Sequence, residues 1–173
     1  IHVIILSNMK NYFQRNKEQP YHISVGAVLT NDNNEVCVQY LKNFYDPAIG
    51  NLSDFYSLMR ETIEPNETIE QALHRGLLEE FGAVGELQSF LGSIVAMTPQ
   101  EDYIFQKNTL YFHLKLISID AAKRSQEDKK INAEIVWINI PELIAKMTEQ
   151  GKRLNREDLD ESVVLERLIK ALE

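Results

Sequence analysis

YHISVGAVLT at 21–30 is mostly apolar, and apolar and polar positions alternate along EVCVQYL at 35–41, with the turn cluster TNDNNE between them. This pattern predicts a β-hairpin. Further strands are predicted at 86–97, 108–119 and 133–140, and a brief extended piece within 57–65. A short apolar run at 1–7 reads as a packing or edge strand. The stretch 42–56 holds Pro47, Gly50 and two aspartates and is predicted to be a loop, as is the polar connection 8–20. TPQEDYIFQK, between the two long strand signals, is predicted to be an irregular segment long enough to wall a site. The charged stretch 120–132 has no apolar face.

Three segments carry the helical period instead. At 68–81, Thr68 and Gln71 match a capping box and Gly82 suits a left-handed position after the last turn. Ile69, Ala72, Leu73, Gly76 and Leu77 fall on one side of this helix, with Glu80 near the middle of the same stripe and Glu79 on its flank. A second helix is predicted from Pro141, since proline at the first helical turn loses no needed donor. The third covers about 157–172, where Leu159, Val163, Leu165, Leu168, Ile169 and Leu172 make a broad face for packing on a sheet. Mixed strands and helices predict a layered domain with helices covering a sheet. The length of 173 residues suits one domain spanning 1–173, with its core at about 21–172.

Charge narrows the function classes. Twenty-six acidic against eighteen basic residues give a net −8, which disfavours a general nucleic-acid binder. The single Cys37 excludes an internal disulfide framework and any zinc site needing several thiolates. No apolar run reaches the roughly 18 residues needed to span a bilayer, so no membrane role is expected. A reducing, cytoplasmic setting fits. His2, His22, His74 and His113 are dispersed and form no metal pattern.

The acids are not evenly spread. Residues 61–80 hold six glutamates against one arginine, a formal −5 of the chain's −8. A half-buried carboxylate needs a cation, a proton or hydrogen bonds to offset its desolvation. Neighbouring carboxylates beside an apolar stripe suit a hard divalent ion such as Mg²⁺ or Mn²⁺. They equally suit a solvated acidic helix end. Glu67 has the same two sides: a loop-to-helix ion pair with Arg75, or compensation of helix N-terminal charge. Arg75 and Glu79 are spaced for an i,i+4 contact.

The run ETIEPNETIEQALHRGLLEEFGA at 61–83 resembles the Nudix box, the signature of the Nudix (MutT-like) hydrolase superfamily. The family pattern is glycine, five residues, glutamate, seven residues, Arg-Glu, an aliphatic residue, any residue, Glu-Glu, any residue, glycine, an aliphatic residue. Glu67, Arg75, Leu77, Glu79, Glu80 and Gly82 take their places in it, with Ala83 as a small final aliphatic residue. Two positions depart from the pattern. Glu61 stands where the family has glycine, and Gly76 where it has the glutamate after arginine.

The resemblance implies an α+β fold, a Nudix-like α/β/α sandwich with a mixed β-sheet. It implies Mg²⁺- or Mn²⁺-dependent attack of water on a phosphoanhydride in a nucleoside diphosphate linked to another moiety. It assigns Glu80 as central metal ligand, Glu79 as ligand or water-orienting base, and Arg75 as the partner of Glu67. The backbone carbonyl of Arg60 takes the place of a further ligand, and Glu101 or Asp102 could supply a loop acid. Gly76 removes one carboxylate from this set. Either the site is weakened, leaving a nucleotide-binding or regulatory module on the same fold, or Glu61 compensates. On this reading Gly76→Glu is expected to restore a ligand. Pro99, 16 residues beyond Ala83, resembles the ADP-ribose-hydrolysing members, which makes ADP-ribose or a sugar nucleotide the leading substrate. Tyr103 and Phe105 either stack on its base or pack their loop. The expected partner is such a small molecule, with the protein a monomer or homodimer.

Overall fold

The computed structural model describes residues 17–46, 50–125 and 133–173. The strand expected at 1–7 lies outside them. Among the described residues, seven strands form one sheet: β1 (Tyr21–Thr30), β2 (Glu35–Asp46), β3 (Gly50–Ser57), β4 (Met59–Thr62), β5 (Ala83–Pro99), β6 (Ile104–Ile119) and β7 (Glu134–Asn139). The sheet order is β3-β2-β1-β6-β5, with β4 added to β1 and β7 to β2. β1 runs parallel to β6, whereas β2–β3, β2–β7, β1–β4 and β5–β6 are antiparallel. The sheet is therefore mixed.

Helices cover both faces, as the alternation of the strands requires. Val25, Ala27 and Leu29 of β1 and Cys37 of β2 pack with Leu73, Leu77 and Phe81. Their neighbours Val28, Val36 and Val38 point to the other face, against Leu143, Met147, Leu165 and Leu168. The first layer is α1 (Ile69–Gly76), continued by a π-helical turn at Leu77–Phe81. The second is α2 (Ile140–Leu154) and α3 (Ser162–Leu172). This is the α+β sandwich expected from the sequence.

Several boundaries differ. Within 42–56, the described residues 42–46 and 50–56 are strand, not loop: β2 runs on to Asp46 and pairs with β3 from Gln39↔Ser57 to Asp46↔Gly50. Its polar residues occupy the exposed side while Leu41, Leu52 and Phe55 are buried with Ala133 and Leu159. The 98–107 segment is not an irregular wall, because β5 and β6 extend to the Pro99↔Ile104 pair and leave a tight turn. Phe105 is buried and packs edge to face on His22, which ends its role as a stacking platform. The last predicted helix is split into a 3₁₀ turn at Glu157–Leu159 and α3. Ile69, placed on the apolar stripe, is exposed. Among the described residues no helix is long and apolar enough to cross a membrane.

Candidate functional site

The site is built where α1 meets β4. Thr68 caps α1: its hydroxyl accepts the Gln71 N–H at 3.2 Å, and the Gln71 side chain accepts the Thr68 N–H at 2.8 Å. Gly82 ends the π turn at φ 68°, a conformation that favours glycine. Between these ends the helix widens over Leu77–Phe81, which sequence periodicity did not predict. π turns insert an extra residue per turn and gather at functional positions. Here the wide turn carries both Glu79 and Glu80, each half-buried.

Glu80 reaches toward the sheet. Its Oε1 accepts the backbone N–H of Arg60 at 3.2 Å, and its Oε2 accepts Gln39 Nε2 of β2 at 3.1 Å. Its carbonyl oxygen accepts Arg124 Nε at 2.6 Å, a cation at a helix C-terminal end. The sequence indicated Glu80 and Arg60, but not Gln39 or Arg124. Gln39 is a buried amide that follows the apolar run Val36–Val38 of β2, and its place there was its only signal.

Arg75 organises the other acids. Its Nε and Nη2 hold the two oxygens of Glu67 at 2.8 Å each, a bidentate pair. Nη2 also donates to the Thr62 carbonyl at 2.8 Å. Nη1 lies 3.3 Å from Glu61 Oε1 and 3.4 Å from Glu79 Oε2. The hydrogen bond from Arg75 holds the Glu67 carboxyl below its usual range, helped by the Glu64 N–H at 2.9 Å. Glu67 in turn raises Arg75 further. The loop-to-helix ion pair is thus formed, together with the i,i+4 contact to Glu79.

The far side of the sheet supports this arrangement. Glu161, 2% exposed, accepts the Leu58 N–H at 2.9 Å and the Tyr111 hydroxyl, and faces Arg60 Nε at 3.7 Å. Burial alone would lower the pKa of Arg60, but Glu161, with Tyr111 and Glu80 behind it, holds the guanidinium firmly charged. Gln150 of α2, equally buried, accepts the Tyr56 N–H at 2.7 Å and donates to Tyr56 O and Leu159 O at 3.0 Å. The second helical layer therefore fixes the backbone from Tyr56 to Arg60, the segment whose amide holds Glu80.

The remaining candidates stand elsewhere. Glu101 and Asp102 occupy the β5–β6 turn, beside the Tyr21 end of β1, whereas Arg60 pairs with Gly26. Asp102 pairs with Lys17. Cys37 is buried, and burial pushes its thiol far above the ordinary range. His113 hydrogen-bonds Thr30 inside the sheet and His22 hydrogen-bonds Thr62.

Superfamily members of the kind resembled typically use divalent metal ions. The donors here do not fit such a set. Among the described residues, no three His, Cys, Asp or Glu side chains stand close enough together to hold a metal ion. Glu80 is held by amide donors, and Glu61 and Glu79 both turn to Arg75. Position 76 supplies no carboxylate. The expected restoration by Gly76→Glu also needs correction. A Cβ added at Gly76 would stand 2.7 Å from Met59 Sδ and 2.8 Å from Glu61 Cβ, so the space is filled.

Comparison with known proteins agrees with this fold. Among solved structures, a Nudix hydrolase from Nitrosomonas europaea is similar at 19% identity, covering 73% of this chain and 78% of that one, with a TM-score of 0.55. An Ap4A hydrolase from C. elegans matches at 12% identity over 87% of this chain and 97% of its own, also with a TM-score of 0.55. The ORF135 protein of E. coli matches at 18% identity over 72% and 77%, with a TM-score of 0.50. At these identities the likeness shows the fold. No curated protein sequence matches the chain. The family model for the NUDIX domain matches residues 20–157, well over half of the chain. The chain belongs to the Nudix family.

Proposed function

We propose that this chain is a Nudix-fold module that binds a nucleoside diphosphate derivative, with ADP-ribose or a sugar nucleotide foremost, and turns it over poorly. The observation that carries this reading is the engagement of the acids. With Gly76 in place of a carboxylate, Glu61 and Glu79 face Arg75 and Glu80 faces Arg60 N–H and Gln39. Hydrolysis of a phosphoanhydride in this fold relies on several carboxylates gathering cations that activate water.

Ligand binding has its own support beside Glu80. Gln39 pairs across the sheet with Ile135, and Cys37 with Trp137, so these side chains share the face on which α1 packs. Trp137 is only partly buried and offers an aromatic surface for a base. Arg124 reaches the same region through its bond to the Glu80 carbonyl, and its Nη2 is buried with no hydrogen-bond partner among the described residues. An unsatisfied buried N–H is a feature that a ligand oxygen explains. In this reading the diphosphate lies towards Arg124 and the base against Trp137. Glu79, Glu80, Arg75 and the Arg60 carbonyl form the remnant of the hydrolytic machinery, with Glu101 and Asp102 as outlying acids.

Titration calorimetry with ADP-ribose, sugar nucleotides, dinucleoside polyphosphates and nucleoside triphosphates, each with Mg²⁺ and with Mn²⁺, tests the reading. At least one diphosphate derivative is expected to bind, with affinity falling about tenfold or more in Arg124→Ala as a charge-assisted contact is lost. Rapid product formation across the panel would favour an active hydrolase, and no binding to any member would sink the proposal.

A further inference from the structure

The two departures from the family motif meet in space. Glu61 lies on β4, opposite Val25 of β1, and Gly76 closes α1. A Cβ built on Gly76 falls 2.8 Å from Glu61 Cβ and 3.2 Å from its Cγ. Cβ atoms do not approach so closely, and the obstruction is shared between Met59 Sδ at 2.7 Å and the stem of Glu61, of which only the Met59 end is flexible. The stem of the Glu61 side chain, with Met59 beside it, therefore fills the space that a side chain at 76 would enter. The motif has the opposite arrangement, with glycine at the first position and glutamate at the second.

We propose that Glu61 and Gly76 are a matched exchange, in which one carboxylate has moved from the helix to the strand and become a counter-ion of Arg75. The destination of that carboxylate is explicit. Glu61 Oε1 accepts the Thr62 N–H at 2.8 Å and faces Arg75 Nη1 at 3.3 Å. It is thereby added to an arginine that already holds Glu67 and meets Glu79. On the helix, the same group would stand one turn before Glu80, and at that place it would add a second carboxylate to the one facing Arg60 and Gln39. The exchange leaves the number of glutamates in the motif unchanged while removing a donor from the cation-binding side. Low affinity for divalent ions is then a property of the pair of positions, and neither reversal alone recovers it. Glu61 acts as a positioning residue, through Arg75.

This inference rests on the site being cation-poor, and it is tested with the metal alone, so that nucleotide binding plays no part in the outcome. Mn²⁺ affinity, read from the paramagnetic signal of the free ion, and Tm are measured for the unsubstituted protein, Glu61→Gly, Gly76→Glu and the double variant. The unsubstituted protein and both single variants are expected to bind Mn²⁺ weakly. Gly76→Glu alone should lower Tm by about 3–10 °C, through overpacking against Glu61 and Met59. The double variant should regain part of that Tm and bind Mn²⁺ at least tenfold more tightly than the unsubstituted protein. If Gly76→Glu does not fold, Gly76→Ala supplies the overlap test, and its Tm loss should likewise shrink in the Glu61→Gly background. A Gly76→Glu protein as stable as its parent and as tight as the double variant would overturn the shared space. A double variant with no gain in affinity would overturn the exchange. A further variant, Glu61→Gln, should leave Mn²⁺ affinity unchanged; a loss there would make Glu61 itself a cation ligand and refute its role as a counter-ion.

Discussion

Glu161→Ala is expected to destabilise the protein by about 3–5 kcal/mol, the usual cost of removing one partner from a buried ion pair. The carboxylate is 2% exposed and serves three donors from three places: the Leu58 N–H, the Tyr111 hydroxyl and Arg60 Nε. Without it, the Leu58 amide loses its acceptor and the Arg60 guanidinium its counter-charge. Glu161→Gln keeps an oxygen for Leu58 but not the charge facing Arg60, and should cost less, about 1–3 kcal/mol. Urea denaturation measures both. The site should feel the change too, because β4 loses its support from behind. Hydrogen exchange at the Arg60 amide, which holds Glu80, should speed up in Glu161→Ala. A loss under about 1 kcal/mol in Glu161→Ala would show that this network is a passive neighbour of the site.

Arg75→Ala is expected to cost about 2–3 kcal/mol near neutral pH, as a bidentate charged pair is lost. Three carboxylates, Glu61, Glu67 and Glu79, would be left facing one another without their shared cation. Arg75→Lys keeps the charge but not the fork that grips both Glu67 oxygens, and should recover only part of the loss. The pH dependence has a definite sign. The folded protein lowers the Glu67 pKa, first through its hydrogen bond from Arg75. The resulting stability is complete above the unfolded value of about 4.3 and is lost as pH falls through the lower folded value. Stability curves of the parent and Arg75→Ala should therefore converge in acid. Parallel curves down to pH 2 would contradict the assignment.

The parts of this molecule that were legible in the sequence are those with local physical signals. The capping box at Thr68 and Gln71, the terminal Gly82 and the apolar run of β1 mark their elements through signals a few residues apart. Glu67, Arg75, Glu79 and Glu80 stood out because a charged cluster beside an apolar stripe demands partners. The pairing of Arg75 with Glu67 and Glu79 was legible from spacing and motif, but the partners that Glu80 finds in Gln39 and Arg124 were not. Glu161 and Gln150 act across the sheet, about a hundred residues along the chain from the amides they hold, and no spacing rule links them. The π turn changes the phase of the helix at the acidic pair, and a 100° period does not foresee it. Residues 42–46 and 50–56, expected as loop, are strand because the pairing of β2 with β3 outweighs the turn propensity of their aspartates and glycine. Gly76 was visible as a missing carboxylate, but the occupation of its space by Glu61 belongs to the packing of β4 on α1.

The central claim is binding with little turnover. A single-turnover experiment tests it most directly: protein in large excess over a bound ADP-ribose or sugar nucleotide, with Mg²⁺ present, followed by chromatographic separation of nucleotide products. The predicted result is ligand that stays protein-bound and intact over many minutes, released unchanged on denaturation. Conversion of the bound ligand to a nucleoside monophosphate within seconds would contradict it.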